Sequence, residues 1–493
     1  MKISIDKSSK VPVYLQIADQ IKAQIISGAL PRSSALPSER ALAQILDVHR
    51  NTVVKAYGEL KSDAWIESRQ GVGYLVASAS TEKEPVGESG EGVQMGRVNW
   101  VNEVADKYLD MEKTFDDLFQ RFTDESHYSL GSGIASREVF SSQRVAHDIA
   151  SLVTGSGPCQ YFFSPYKGDR FLRQKLASFL GTKGVRASSG EIQILSETNQ
   201  ALDFIVTLLV KPGDSVVMEE PVHPDMYRVM ELAGARILTV PVDEDGMNCD
   251  VLESLLTQTR PRLIFVNSSF HDPTGCILSL ERRKKIVELS NRYRVPIVEE
   301  DAASELVYDG DKLPPIKAFD TMGNVIYIYS FSLTFVPGLS LAFVTGNRDF
   351  VRALSYLVSV RLMASDWMTQ KLLGMYLDDG SYYSSLATFR EIYSGNRDLV
   401  CQKLDALAHL GVRYERPRGG VYVWCRLPDG VDSKHFINRA YNMGVTLIPG
   451  HVFYPYKNGG RDYIRINYSY ESRERLACGM DVLHKALEEE LEE

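Results

Sequence analysis

The densest group of residues able to do chemistry is the run His49-Arg50-Asn51-Thr52, with Lys55 one helical turn further on. A guanidinium presents a planar fork of donors that matches the major-groove edge of guanine. A carboxamide presents the donor and acceptor that match adenine. Arg50 and Asn51 therefore suit base reading, with His49 and Thr52 beside them. Arg40, Lys55 and Arg69 suit phosphate contacts, which fix register rather than sequence. Taken singly, each is ordinary on a solvated basic surface. The case for nucleic acid rests on the elements that carry them.

Those elements are legible in residues 1–79. Tyr14, Ile17, Ala18, Ile21 and Ile25 recur at helical spacing, with Gly28 placed as a cap. A short second helix begins at Leu36-Pro37-Ser38-Glu39-Arg40, with Leu42, Ile45 and Leu46 expected on its inner face. After a tight turn at Asp47-Val48, Val53, Ala56, Tyr57 and Leu60 form an apolar stripe at i, i+3, i+4 and i+7. Two short apolar runs around a glycine-containing turn, from Trp65 to Val76, predict a β-hairpin. Helix, short helix, turn, helix and hairpin is winged helix-turn-helix geometry, which presents the first turn of its recognition helix to base edges.

The distribution of charge points the same way. The chain of 493 residues carries a net charge of −9, but residues 1–79 hold ten Lys and Arg against seven Asp and Glu, a net of +3. The remainder carries −12. The overall charge argues against nucleic acid, but a small basic head on a large acidic body is a reason to examine the head for DNA binding. The six cysteines are scattered with no C-x-x-C pair or metal-ligand spacing, so neither a disulfide framework nor a metal site is expected. No run of about 18 apolar residues is present and the N-terminus lacks a signal-peptide core, so a cytoplasmic protein without membrane spans is expected.

The run PVYLQIADQIKAQIISGAL…LPSERALAQILDVHRNTVVKAYGELKSDAWIESRQGVGYLV resembles the GntR-type winged-helix domain. The resemblance implies that Arg40 and Arg50 contact DNA and that Gln70-Gly71 forms the wing-tip contact. Residues 80–127 follow as a Glu-, Gly- and Ser-rich linker to about 96, then a helical arm. From 128 to 493, helices alternate with short buried strands such as IQILSE, DSVVMEE, LIFVN and PIVEED. That alternation predicts an α/β domain with a largely parallel sheet, ending in a smaller α+β lobe.

Residues 128–493 resemble the fold-type-I aminotransferase domain that uses pyridoxal phosphate, through ETNQALDFIVTLLVKPGDSVVMEEPVHP, HDPTG, VEEDAASELVYD, YSFSLTFVPGLSLAFV, GGVYVWCRL and YIRINYSY. A GntR head on such a body is the architecture of MocR-type regulators. The resemblance implies a multidomain regulator that binds double-stranded operator DNA, as a head-to-tail homodimer whose body senses a ligand.

The likeness also marks what is missing. Leu333 stands where the family has the lysine that forms an imine with the cofactor, and Ser340 where it has a phosphate-binding arginine. Ala302 replaces a ring-oxygen tyrosine, and Glu197 replaces a glycine in the phosphate loop. Two unit charges at about 4 Å repel by on the order of 4 kcal/mol at a surface-like dielectric, so Glu197 opposes a dianion. Glu300 keeps the ring-nitrogen carboxylate, His223 keeps a stacking ring, and Arg465 matches the arginine that grips a substrate carboxylate. Asn199 and Asn267 complete the candidate ligand-binding positions.

The expectation is a catalytically inactive body with no covalent cofactor, serving for dimerisation and for sensing a small carboxylate-bearing effector. The alternative is a pyridoxal-phosphate-dependent regulator or aminotransferase with non-covalent or residual cofactor binding, since His223 and Glu300 retain the means to hold a pyridine ring. A body that is only a dimerisation scaffold is the third reading.

Overall fold

The structure is a computed structural model that describes residues 3, 5, 12–26, 29–31, 34–46, 48–62, 65–69, 73–76, 121, 125–135, 139, 142–155, 165–336, 338–362 and 366–492. Gly28, Asp47, Gln70, Gly71, the linker and most of the expected helical arm lie outside the described residues, as does the side chain of Arg69. The chain divides into two compact units, 1–98 and 99–493.

In the first unit, α1 (Val13–Ile26), α2 (Glu39–Ile45) and α3 (Arg50–Ser62) precede a hairpin of β1 (Ile66–Arg69) and β2 (Gly73–Val76). Val53, Ala56, Tyr57 and Leu60 of α3 are wholly buried against Ile17 and Ile21 of α1 and Leu42 of α2. One expectation for α2 is corrected: Ile45 is 70% exposed. Ala43 and Leu42 are the buried residues of this short helix. With 100° between successive residues, the stripe centred on Leu42, Ala43 and Leu46 turns Ile45 away. The hairpin pairs Ile66 with Val76 through Arg69 with Gly73 in antiparallel register. Gly73 has φ of +98°, which a side chain at this turn would disfavour. Ala35 bridges to Leu75, so the segment leading into α2 is tied to the wing.

The second unit is built on an eight-stranded sheet: β4 (Ile192–Leu195), β5 (Ser215–Glu220), β6 (Arg236–Asp243), β7 (Gly246–Met247), β8 (Ile264–Asn267), β9 (Ile297–Asp301), β10 (Val325–Ser330) and β11 (Ala342–Thr345), after a short β3 (Tyr128–Ser129). Its order is β4-β11-β10-β9-β8-β5-β6-β7. The central pairs β6–β5–β8–β9–β10 are parallel, whereas β11 runs antiparallel to both its neighbours. Alternate residues of each strand feed opposite cores. Ile326 and Ile328 pack with the helices Thr198–Leu209 and Arg348–Arg361, while Val325 and Tyr327 face the other way. Both faces are therefore covered, and the strands read as apolar runs.

The smaller lobe adds β12 (Arg413–Tyr414), β13 (Tyr422–Arg426), β14 (Val445–Thr446), β15 (Ile448–Pro449) and β16 (Tyr463–Asn467). β12, β13, β16 and β15 make an antiparallel sheet, and β14 pairs with β3 in parallel.

Candidate functional site

The candidate DNA-contacting residues of the head cluster around the start of α3. His49 precedes the helix, and its Nδ1 accepts a hydrogen bond from the Asn51 amide at 3.2 Å. Arg50, Asn51 and Lys55 are exposed and Thr52 is half-buried; at 100° per residue Asn51 and Lys55 lie opposite the Val53–Leu60 stripe, while Arg50 and Thr52 flank it in the first turn. Lys55 Nζ stands 6.0 Å from the centre of the Tyr14 ring. Arg40 is exposed on α2. Arg50 does not project freely: its Nη2 donates to Glu39 Oε2 at 2.9 Å, and Tyr74 of the wing donates to the other Glu39 oxygen at 3.1 Å. Glu39 thus links helix α2, the recognition helix and the hairpin. The acidic residue in Ser38-Glu39-Arg40 was the available signal, and its partner could not be read from spacing.

In the second unit, two adjoining cavities of about 440 and 170 Å³ share Gly133, Thr198, His223, Ser332 and Tyr422. They open at the carboxyl ends of the parallel strands. Ser196-Glu197 follows β4, His223 follows β5, Asn267 ends β8, Glu300 lies near the end of β9 and Ser330 ends β10. Ligands of open α/β sheets sit at this edge because successive loops diverge there. The five ligand-binding candidates are brought together: Asn199, His223 and Arg465 line the larger cavity, and His223, Asn267 and Glu300 the smaller.

Leu333 lies in the wall of the smaller cavity and is 6% exposed. No lysine lines either cavity among the described residues. Lys183, which is buried, donates to Ser304 at 2.5 Å and pairs with Glu305 at 2.7 Å. The larger cavity carries hydroxyls at Thr198, Ser330, Ser332 and Ser340 near the start of the helix Thr198–Leu209, with Glu197 as its N-cap residue. The cations in its lining are Arg228 and Arg465. This lining does not fit a pyridoxal phosphate held by an imine: among the described residues it offers no lysine amine, and Leu333 and Ser340 stand in the walls.

Arg465 departs from expectation. It is 2% exposed, and its Nη1 donates to both oxygens of Asp272 at 2.7 Å each, while Nη2 donates to the Gly131 carbonyl at 2.9 Å. Its guanidinium lies 4.3 Å from the Tyr422 ring centre and 5.2 Å from that of Phe453. The grip expected for a ligand's carboxylate is filled by a carboxylate of the chain itself. Burial alone would raise the Asp272 pKa, but Arg465, with His223 3.9 Å away, holds it below the usual value. Asp272 precedes Pro273-Thr274-Gly275 in the sequence, where its acidity was visible but its partner was not.

Glu300 has the opposite electrostatics. Burial, then the neighbouring Asp301, Asp272 and Glu299, push its pKa up to about 8. Asn267 bridges it to Glu219, donating from Nδ2 to Glu300 Oε2 at 2.6 Å and from its backbone amide to Glu219 Oε2 at 2.6 Å. Glu219 is likewise pushed up to about 8, chiefly by burial. Asn199 donates to Asp225 at 3.1 Å, and His223 caps the helix Pro224–Leu232 by accepting from the Asp225 amide at 3.3 Å.

Residues 129–481 match the family of class I and II aminotransferases. The chain belongs to that family. Ahead of its aminotransferase-family body, residues 13–76 match the gntR family of bacterial regulatory proteins, so the head is a gntR-type helix-turn-helix domain. The two together are the MocR-type architecture. Over 477 residues the chain is 28% identical to the HTH-type transcriptional regulator YisV of Bacillus subtilis (strain 168), covering 96% of each. It is 27% identical to the probable rhizopine catabolism regulatory protein MocR of Rhizobium meliloti, over 90% of this chain and 88% of that protein. The aminotransferase-family body superposes on α-aminoadipate aminotransferase of Thermus thermophilus, solved with N-(5'-phosphopyridoxyl)-L-leucine, at a TM-score of 0.74 and 28% identity. That match covers 80% of this chain and 99% of the aminotransferase. The fold is thus the type I transferase fold, with a large mixed sheet.

Proposed function

We propose that this chain is a DNA-binding transcriptional regulator whose body is catalytically silent and works through reversible, non-covalent occupancy of the cleft. In this reading residues 1–79 are the DNA-binding domain, 80–127 the connection and 128–493 the sensing and dimerising body. The protein works in the cytoplasm as a head-to-tail homodimer, with two heads on two operator half-sites. A ligand that binds one dimer arrangement more tightly than another shifts operator affinity by that difference.

One observation carries the silent-body reading: Leu333 in the cavity wall, with no lysine among the described residues that line the cleft. Imine formation needs an amine, and a Leu side chain supplies none. The test is incubation with pyridoxal phosphate, borohydride reduction and peptide mapping. Wild type should show no reduced adduct on a cleft residue, while Leu333→Lys restores an attachment point. A cleft adduct in the wild type overturns the reading.

A further inference from the structure

We propose that the cleft selects a small organic cation, a primary amine carrying no carboxylate, and that the Arg465–Asp272 pair is the device that excludes carboxylates. The inference rests on reading the cleft as an effector site and names the ligand class for it.

Three observations converge. The buried guanidinium of Arg465 is committed to Asp272, to the Gly131 carbonyl and to two aromatic faces. A carboxylate that takes Nη1 of Arg465 displaces Asp272 and leaves it without its guanidinium in a largely buried site, which is far less favourable than pairing with a free guanidinium. Second, Glu300 is 93% buried by its 7% exposure, takes one hydrogen bond from Asn267 at Oε2, and has no donor at Oε1 among the described residues, although it lines the cavity. A carboxyl oxygen open to a cavity with no donor calls for a donor from the ligand. Third, Glu197 and Asp225 add carboxylates to the larger cavity, where Arg228 is the remaining guanidinium once Arg465 is taken by Asp272. An ammonium supplies donors and positive charge together, whereas a phosphate or carboxylate, though offered donors by Arg228 and the cavity hydroxyls, sits against the carboxyl groups of Glu197, Asp225 and Glu300.

The titratable groups around Glu300 are Asp301 and Glu299, adjacent on its own strand with side chains on the opposite face, Asp272 and His223 in the lining of the same cavity, Arg465 paired to Asp272, and Glu219 joined through Asn267. Because burial among these acids keeps Glu300 protonated near neutrality, seating an ammonium beside it drives a proton off.

The test uses the full chain and a matched set: tyramine, L-tyrosine and 3-(4-hydroxyphenyl)propionate share one ring and differ only in amine and carboxylate. 1,4-Diaminobutane, succinate and inorganic phosphate extend the comparison. Calorimetry and thermal unfolding should show amine-only members binding, with proton release revealed by dependence of the heat on buffer ionisation. Glu300→Gln, which leaves the ion pair intact, should weaken amine binding by tenfold or more and abolish the proton release. Asp272→Asn should free Arg465 and reverse the preference towards the carboxylate-only members. Wild type binding the carboxylates or phosphate as tightly as the amines overturns the ligand class while leaving the cleft an effector site. No stabilisation by any member overturns both.

Discussion

Arg465 on β16 and Asp272 in the turn after β8 are joined by two contacts of 2.7 Å from a single guanidinium nitrogen. The pair ties the smaller lobe to the edge of the main sheet inside the cleft. Removing one partner leaves the other largely buried and unpaired, which costs roughly 3–5 kcal/mol. Arg465→Met and Asp272→Leu should each lower unfolding stability by about that amount in denaturant titrations. The double variant should lose less than the sum, because neither charge then remains. Additive losses would show that the two do not interact.

Arg50 is expected to read a base and Lys55 to hold phosphate. Arg50→Ala should cost about 1–3 kcal/mol on the preferred operator and relax preference at one base pair. Lys55→Ala should weaken all sequences alike and reduce the salt slope by about 0.9. Binding titrations at several salt concentrations, on operator and on scrambled duplex, separate the two. Equal effects of both variants would remove the distinction.

If Arg50 reads a base edge through Nη2, that nitrogen must part from Glu39. The pair is exposed, with the arginine side chain 52% accessible, so it contributes at most about 1 kcal/mol. Glu39→Gln should therefore tighten DNA binding by no more than about fivefold, with little change in the melting of the head. A loss of binding would instead make Glu39 a positioning residue for the bound state.

Glu300 and Glu219 shape the pH dependence of stability. Their folded pKa values of about 8 lie above the ordinary 4.5, so the folded state holds protons that the unfolded chain releases. Between about pH 4.5 and 8 these two groups lower stability as pH rises. Glu300→Gln should flatten that decline in unfolding measured across this window. An unchanged slope would place Glu300 in a better-solvated setting than the structure gives it.

The stripe Val53-Ala56-Tyr57-Leu60 and the strand runs were legible because burial on one helix face, or both sheet faces, leaves a period in the sequence. Ile45 was misplaced because seven residues give too few turns to fix which stripe a helix buries. Leu333, His223 and Glu300 were legible as cleft residues through motifs. The partners Asp272 of Arg465 and Glu39 of Arg50 were not, since a pair spanning 193 residues, or one bridging two helices, is set by tertiary packing alone.

A hydrocarbon wall at Leu333 also sets the tempo of any signal. In the proposed reading there is no covalent bond to hydrolyse, so an occupant of the cleft leaves at its own dissociation rate and no turnover consumes it. Occupancy then tracks the concentration of the ligand pool in both directions, giving a gauge that resets by dilution rather than a memory that must be chemically erased.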